Sequence, residues 1–180
     1  MSAPDPQESR RNRRFLLIFL GVFVATGIGT LIYGFEVVDR VKMQASRSDM
    51  ALRLRAWSIM AVVDATGQFP VDEAGADAGL DRLTLDGRLA EGSGTIPSDF
   101  QLSGEALPSS REEAIGNFTV QGPPIDAEVV REIVAVSWDP EGQLPPVLSV
   151  SGRPSGLVEG GTTLELVNVW LRRAGDRLGR

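Results

Sequence analysis

The sequence predicts a single transmembrane α-helix with a helical stalk, followed by a mainly-β, sandwich-like extramembrane domain. Three observations predict this fold class: an uncharged apolar run from Phe15 to Phe35, a stretch without proline or glycine from there to Thr66, and short alternating segments beyond residue 80. A helix of that apolar run, rising about 1.5 Å per residue, crosses a hydrocarbon core of about 30 Å. The predicted parts are a basic cytoplasmic tail (1–14), a transmembrane helix (15–38), an amphipathic stalk helix and turn (39–70) and an extracytoplasmic β-rich domain (71–180).

Four arginines stand directly before the apolar run and predict its orientation: Arg10, Arg11, Arg13 and Arg14. Because basic residues beside a span stay in the cytoplasm, the N-terminus is expected there and the following domain outside. The 17 arginines to one lysine favour a bacterial source. The expected location is therefore the bacterial inner membrane, with a periplasmic domain. A cleaved signal sequence, with Ala25-Thr26-Gly27 as its small-residue site, is the alternative.

Small residues recur four apart within the predicted span. Gly21, Ala25 and Gly29 form one row, and a second row beside it consists of Thr26, Thr30 and Gly34. Small side chains at this spacing let the backbone of another helix approach closely. The span is therefore expected to pack against partner helices.

The predicted stalk carries a wide apolar stripe at helical spacing, formed by Leu52, Ala56, Trp57, Ile59 and Val63. The stripe is expected to pack on the chain's own domain, on a partner subunit, or in the lipid headgroup layer. Ser48 is expected to cap this helical segment, and Thr66-Gly67 to end it.

The remaining residues suggest short strands separated by turns. A hairpin is predicted around Asp86-Gly87. Ser110 and Glu113 have the spacing of a helix capping box. Further strands are predicted at Phe100 and Leu102, Phe118 and Val120, Ile133 to Trp138, Val147 to Ser151, and Thr162 to Leu171. Six or seven short strands with turn residues between them predict a β-sandwich.

The order of these elements resembles that of type IV pilins and type II secretion pseudopilins. The resemblance covers residues 15–70: a membrane helix, an amphipathic extension and a Gly-x-aromatic-Pro turn, here Gly67-Gln68-Phe69-Pro70. It implies a β-rich head, assembly into filaments and cleavage near the N-terminus. A pseudopilin-like secretion or pilus component is therefore one alternative function.

The composition excludes most catalytic chemistry. With no histidine and no cysteine, the chain cannot form a histidine-based or cysteine-based catalytic site, a zinc site of the His/Cys kind, or a disulfide. Asp72, Glu73, Asp77 and Asp81 offer carboxylates for calcium, but their spacing differs from that of a calcium loop, and solvated acids are expected instead. No catalytic residue, cofactor or metal is predicted.

Charge and anchoring together predict the class of function. The net charge is −6, and since the first 14 residues carry +2, the rest carries −8, which disfavours nucleic acid. We expect a non-catalytic, single-pass accessory subunit of a larger bacterial membrane complex, with other transmembrane subunits and the lipid bilayer as partners. Respiratory and photosynthetic complexes are suitable hosts. Besides the pseudopilin-like component, a membrane-anchored envelope module that binds lipid or peptide is an alternative.

Overall fold

A computed structural model of the chain describes residues 6–90, 106–116, 124–151, 157–158 and 161–179. One long helix, α1 (Pro6–Thr66), begins the described chain. The later elements are α2 (Glu73–Asp77), α3 (Arg111–Ile115), α4 (Ala127–Ile133), β1 (Val134–Ser137), β2 (Val147–Val150), β3 (Leu157–Val158), β4 (Gly161–Thr162) and α5 (Thr163–Arg177). The chain divides into two compact units, Met1–Val41 and Lys42–Arg180.

The first unit is the apolar part of α1. Every side chain from residue 15 to residue 41 is exposed, and the large apolar ones lie between 40% and 74% exposure. Within the described residues, this is the one helix that is long and apolar enough to cross a membrane. Such a surface is stable only where it is removed from water, as in lipid or against other helices.

The second unit, called the head below, is built around the end of α1. In this core helix, residues 42–66, all residues from 51 to 61 are buried in the head, whereas the two ends, 42–44 and 65–66, are exposed. Leu52, Ala56, Trp57, Ile59 and Val63 have no exposed surface. The structure thus places the predicted stripe against the chain's own head. The residues packed around the core helix include Phe69, Leu89, Leu107, Ile133, Leu148, Val167, Trp170 and Leu171.

The prediction of a mainly-β, sandwich-like head is wrong. The head consists chiefly of helices and holds, in its described part, two antiparallel pairs: β1 with β2, and β3 with β4. In the first pair Val134 faces Val150 and Val136 faces Leu148. The strands predicted at 133–138 and 147–151 are confirmed at their centres, whereas those at Phe100 and Leu102 and at Phe118 and Val120 lie outside the described residues. The β-rich head implied by the pilin resemblance is overturned with the sandwich.

The strand predicted at Thr162 to Leu171 is a helix instead. Thr162 caps α5 through a capping box: its hydroxyl accepts from the Glu165 N–H at 3.2 Å, and the Glu165 carboxylate accepts from the Thr162 N–H at 2.7 Å. Leu166, Val167, Trp170, Leu171 and Ala174 then face the core at helical spacing. The β-branched and aromatic residues of this segment favoured a strand, but burial against the core helix determines the outcome.

The hairpin predicted around Asp86-Gly87 is also wrong. Residues 83–90 form an irregular loop in which Thr84 makes a single bridge to Ser110. The Asp64 carboxylate binds the loop's backbone N–H groups, which a hairpin would have used between strands.

Helix ends were predicted with mixed success. Helix α1 ends at Thr66, as expected, and Gly67 follows with φ of 75°. Ser110 caps α3, as predicted, because its side chain accepts from the Glu113 N–H. Ser48, by contrast, is not a cap: α1 continues through it, and its side chain is buried.

We predict that Gly79→Ala destabilises the head whereas Gly175→Ala does not. A Cβ at Gly79 would lie 2.0 Å from the Ser58 carbonyl oxygen of the core helix, so the loop would have to move, at a cost of about 2–3 kcal/mol. At Gly175 in α5 the nearest atom, of Pro145, is 3.6 Å away, and alanine favours the helix by about 0.5–1 kcal/mol. Urea unfolding of the full chain in detergent, followed by fluorescence of the three tryptophans, all in the head, measures both changes. Equal stabilities of the two variants would contradict this packing.

Candidate functional site

The buried charges of the core helix are the first candidates for chemistry, and the structure uses them to hold the head together. The Arg55 guanidinium, with no exposed surface, pairs with Glu73 at 2.6 Å and with Asp77 at 2.8 Å. Arg131 of α4 pairs with the same Asp77 at 2.6 Å. These contacts join the core helix to α2 and α4, so the carboxylates of α2 serve as structural ion-pair partners.

Asp64, near the end of the core helix, fixes the loop 83–90. Its buried carboxylate accepts from the backbone N–H groups of Asp86 at 3.0 Å, Gly87 at 3.1 Å and Leu89 at 3.0 Å. It also pairs with Arg82 at 3.1 Å. Four partners satisfy the charge of a carboxylate that is removed from water. This arrangement is a structural anchor for the loop.

Arg53 lies one turn before Trp57 on the core helix. Its guanidinium donates to the Ala114 carbonyl oxygen, at the end of α3, at 3.1 Å and lies 5.8 Å from the ring centroid of Trp170. Burial lowers the pKa of this guanidinium to about 10, and the charge of Asp49 partly opposes the shift. Arg53 therefore remains charged at neutral pH and connects α3 and α5 to the core helix.

Three of the four acids considered for calcium take structural roles as well, and the fourth, Asp81, is exposed. Asp72 caps α2 by accepting from the Gly75 N–H at 2.7 Å. Glu73 and Asp77 face Arg55, as described above. Across the residues that the structure covers, no three histidine, cysteine or carboxylate side chains are grouped so as to hold a metal ion.

The predicted helix-packing residues form an open surface in the first unit. A Cβ added at Gly21, Gly29 or Gly34 would meet no atom within 4 Å other than the helix's own backbone. Ala25 lies one turn from both Gly21 and Gly29. The hydroxyls of Thr26 and Thr30 donate to the carbonyl oxygens one turn earlier, at 2.8 and 2.9 Å. These two threonines therefore need no outside partner for their hydroxyls and can present their methyl groups.

The basic residues assigned to orientation cannot be placed in the same detail. Arg10, Arg11, Arg13 and Arg14 belong to the backbone of α1, but their side chains lie outside the described part of the structure.

The head has one feature that the sequence analysis missed, a groove between β2 and α5. Its volume is about 700 Å³, within the range of about 300–1,000 Å³ usual for small-molecule sites. One wall is the segment 144–148, and the other is a row along α5. The lining residues are Leu144, Pro145, Pro146, Val147, Leu148, Leu164, Glu165, Asn168 and Arg172.

The wall at 144–148 is supported by a turn on one side and by Asn168 on the other. The carboxylate of Asp139 accepts from the N–H groups of Leu144 at 2.9 Å and Gln143 at 2.7 Å, and these bonds lower the pKa of Asp139. The Asn168 side chain accepts from the Leu148 N–H at 2.9 Å and donates to the Leu148 carbonyl oxygen at 3.1 Å. The carboxamide thus occupies the edge of β2 where a further strand would bind.

The groove was missed because residues 162–171 were predicted to form a strand. A strand there would have pointed Leu164, Asn168 and Arg172 to one face with Leu166 and Trp170. The Thr162-x-x-Glu165 pair was the signal for a helix start, and the spacing of Leu164, Asn168 and Arg172 by four would then have placed them in one row.

Comparison of the chain with protein-family models, with curated proteins and with solved structures finds no match. A function for the small-residue rows of α1 or for the groove must therefore be inferred from their physical chemistry.

We predict that Asp64→Ala severely destabilises the head, by about 3–5 kcal/mol, because three backbone N–H groups and Arg82 would lose a buried partner. Asp86→Ala is the matched control, since Asp86 is 70% exposed and lies 3.6 Å from the same arginine; its loss is expected to cost less than about 1 kcal/mol. Urea unfolding of the full-length variants in detergent measures both. A small effect at Asp64 would show that the loop 83–90 is held in another way.

Proposed function

We propose that the chain is a non-catalytic, single-pass accessory subunit of a larger bacterial membrane complex, with its head on the extracytoplasmic side. One observation carries this proposal. Residues 15–41 expose apolar side chains around the whole circumference of α1. Such a surface requires lipid or neighbouring helices on every side.

The row of Gly21, Ala25 and Gly29 supports packing against other spans rather than anchoring alone. No large side chain occupies the space beside either glycine, and a neighbouring helix can reach the backbone there. Because lipid tails are as apolar as the helices, no hydrophobic effect drives helices together in a membrane. Close contact of this kind stabilises the pair by dispersion instead. No charged residue interrupts the run from Phe15 to Phe35, so the span itself offers no path for ions or protons.

The head supports a binding role better than a catalytic one. Three of its buried charges on the core helix, Arg53, Arg55 and Asp64, contact groups of other head elements. The sequence supplies neither histidine nor cysteine. The head then offers its outer surface, including the groove, for contact with other components.

We predict that Gly21→Leu combined with Gly29→Leu releases the protein from its complex. The leucine side chains would hold a partner helix away from the backbone and remove its close contacts. The matched control is Gly27→Leu: this glycine is equally open but lies about 160° around the helix from Ala25. Native gel electrophoresis of mild-detergent extracts from the source bacterium, probed for the tagged chain, measures the complexed fraction.

The double variant is expected to migrate alone and Gly27→Leu to stay in the complex. If both remain bound, the Gly21 row is not the contact face. If the unchanged protein itself migrates alone, it is not an accessory subunit.

We predict that a cysteine in the head is reached from outside the cytoplasm. The chain has no cysteine of its own, so Leu83→Cys, at a side chain 67% exposed, introduces a unique thiol. A membrane-impermeant maleimide should label it in spheroplasts. Ser2→Cys, in the basic tail, is the matched probe and should react only after lysis. The reverse pattern would place the head in the cytoplasm. An intact mass that corresponds to a chain without its N-terminal residues would favour a cleaved signal.

A further inference from the structure

The groove between β2 and α5 leaves apolar surface uncovered in the described head. Leu144 is 63% exposed and Val147 is 59% exposed, and both belong to its lining. Leu164 and the rings of Pro145 and Pro146 extend this surface across to α5. An occupant that covers these side chains would gain free energy by removing apolar area from water.

The groove has few backbone hydrogen-bonding groups that could bind a peptide main chain. Pro145 and Pro146 have no N–H group. The N–H and C=O of Leu148, on the edge of β2, are both bound to Asn168, whose amide also donates to the Leu164 carbonyl oxygen at 2.9 Å. An extended peptide would leave its own amides without partners at this apolar wall, at considerable cost. A hydrocarbon chain needs no such partners.

One end of the groove is positively charged. Arg172 follows Leu164 and Asn168 at spacings of four, in the same row of α5, and its side chain is exposed. No hydrogen bond or ion pair joins Arg172 to another described residue. Glu165, the acid of the lining, is held by its bonds to the N–H and hydroxyl of Thr162. Although residues 15–180 are acidic overall, this end of the groove is therefore lined by an arginine that has no partner among the described residues.

We propose that the groove binds a long-chain fatty acid, with the alkyl chain along Leu144, Val147 and Leu164 and the carboxylate on Arg172. A guanidinium and a carboxylate match in geometry and form two parallel charge-assisted hydrogen bonds. The alkyl chain is the part that the hydrogen-bond-poor walls accept. This inference is independent of the proposed role as an accessory subunit, because it concerns the head alone.

The test uses the full chain in nanodiscs of zwitterionic phosphatidylcholine and a hexadecanoic acid that carries a photoreactive diazirine in its tail. After irradiation, mass spectrometry locates the labelled residues. We expect saturable labelling within 144–148 and at Leu164, and competition by unlabelled hexadecanoate. Bilayer partition alone would give labelling that does not saturate and that falls on residues 15–41.

Two variants separate the site from general hydrophobicity. Arg172→Gln is expected to raise the probe concentration that gives half-maximal labelling about tenfold, because a charge-assisted pair is lost. Arg173→Gln is the matched control, because Arg173 is the exposed neighbour that does not line the groove. It should change the probe concentration at half-maximal labelling by less than twofold. Val147→Asp, at an exposed side chain, should abolish labelling of the groove. Tryptophan fluorescence should show that each variant remains folded.

Three results would overturn the proposal. The first is labelling confined to residues 15–41. The second is groove labelling that Arg172→Gln and Arg173→Gln affect equally, which would remove the assigned carboxylate site. The third is displacement of the probe by a peptide with a free C-terminal carboxylate but not by hexadecanoate, which would assign the groove to a protein partner.

Discussion

The burial of the core helix, complete from residue 51 to residue 61 and continued at Val63 and Asp64, is the constraint on which the head depends. A surface helix buries one face, and its charged residues remain in water. Here the buried stretch includes Arg53, Arg55 and Asp64, so each of these charges must find a partner inside the head. Arg55 binds α2, Arg53 reaches the end of α3, and Asp64 holds the loop 83–90. Charges along one helix therefore hold α2, α3 and the loop 83–90 in place.

These buried charges specify the arrangement more than they stabilise it. Burial lowers the pKa of the Arg53 guanidinium because it disfavours the charged form, and the charge of Asp49 only partly opposes this shift. Apolar residues of similar volume would avoid that cost but would accept many positions of the surrounding loops. A guanidinium or carboxylate accepts few, because its partners must meet it in both distance and direction. With two small sheets in the described head, such directional contacts replace the register that a larger sheet would supply.

The sequence predicted well those features that depend on local pattern. The apolar run, the helix end at Thr66, the Ser110 cap and the centres of β1 and β2 are found in the structure. The sandwich failed because Val167 and Trp170 are of types common in strands, whereas the Thr162–Glu165 capping box and burial in the core favour a helix there. For the candidate surfaces, the Gly21 row could be read directly from spacing. The groove could not, since Leu144 and Arg172 meet only through the packing of α5.

One helix thus carries two apolar sequences that require different surroundings. Phe15 to Phe35 is apolar on every face and has small residues in rows, as lipid and close helix packing require. Residues 51–64 are buried except for the half-buried Val62, yet they include charges that no hydrocarbon solvent would satisfy. The first segment is exposed in the described structure and is a candidate membrane span, whereas the second is surrounded by protein, which supplies partners for its charges. The arginines and Asp64 of the second segment therefore bind it to the other elements of the head.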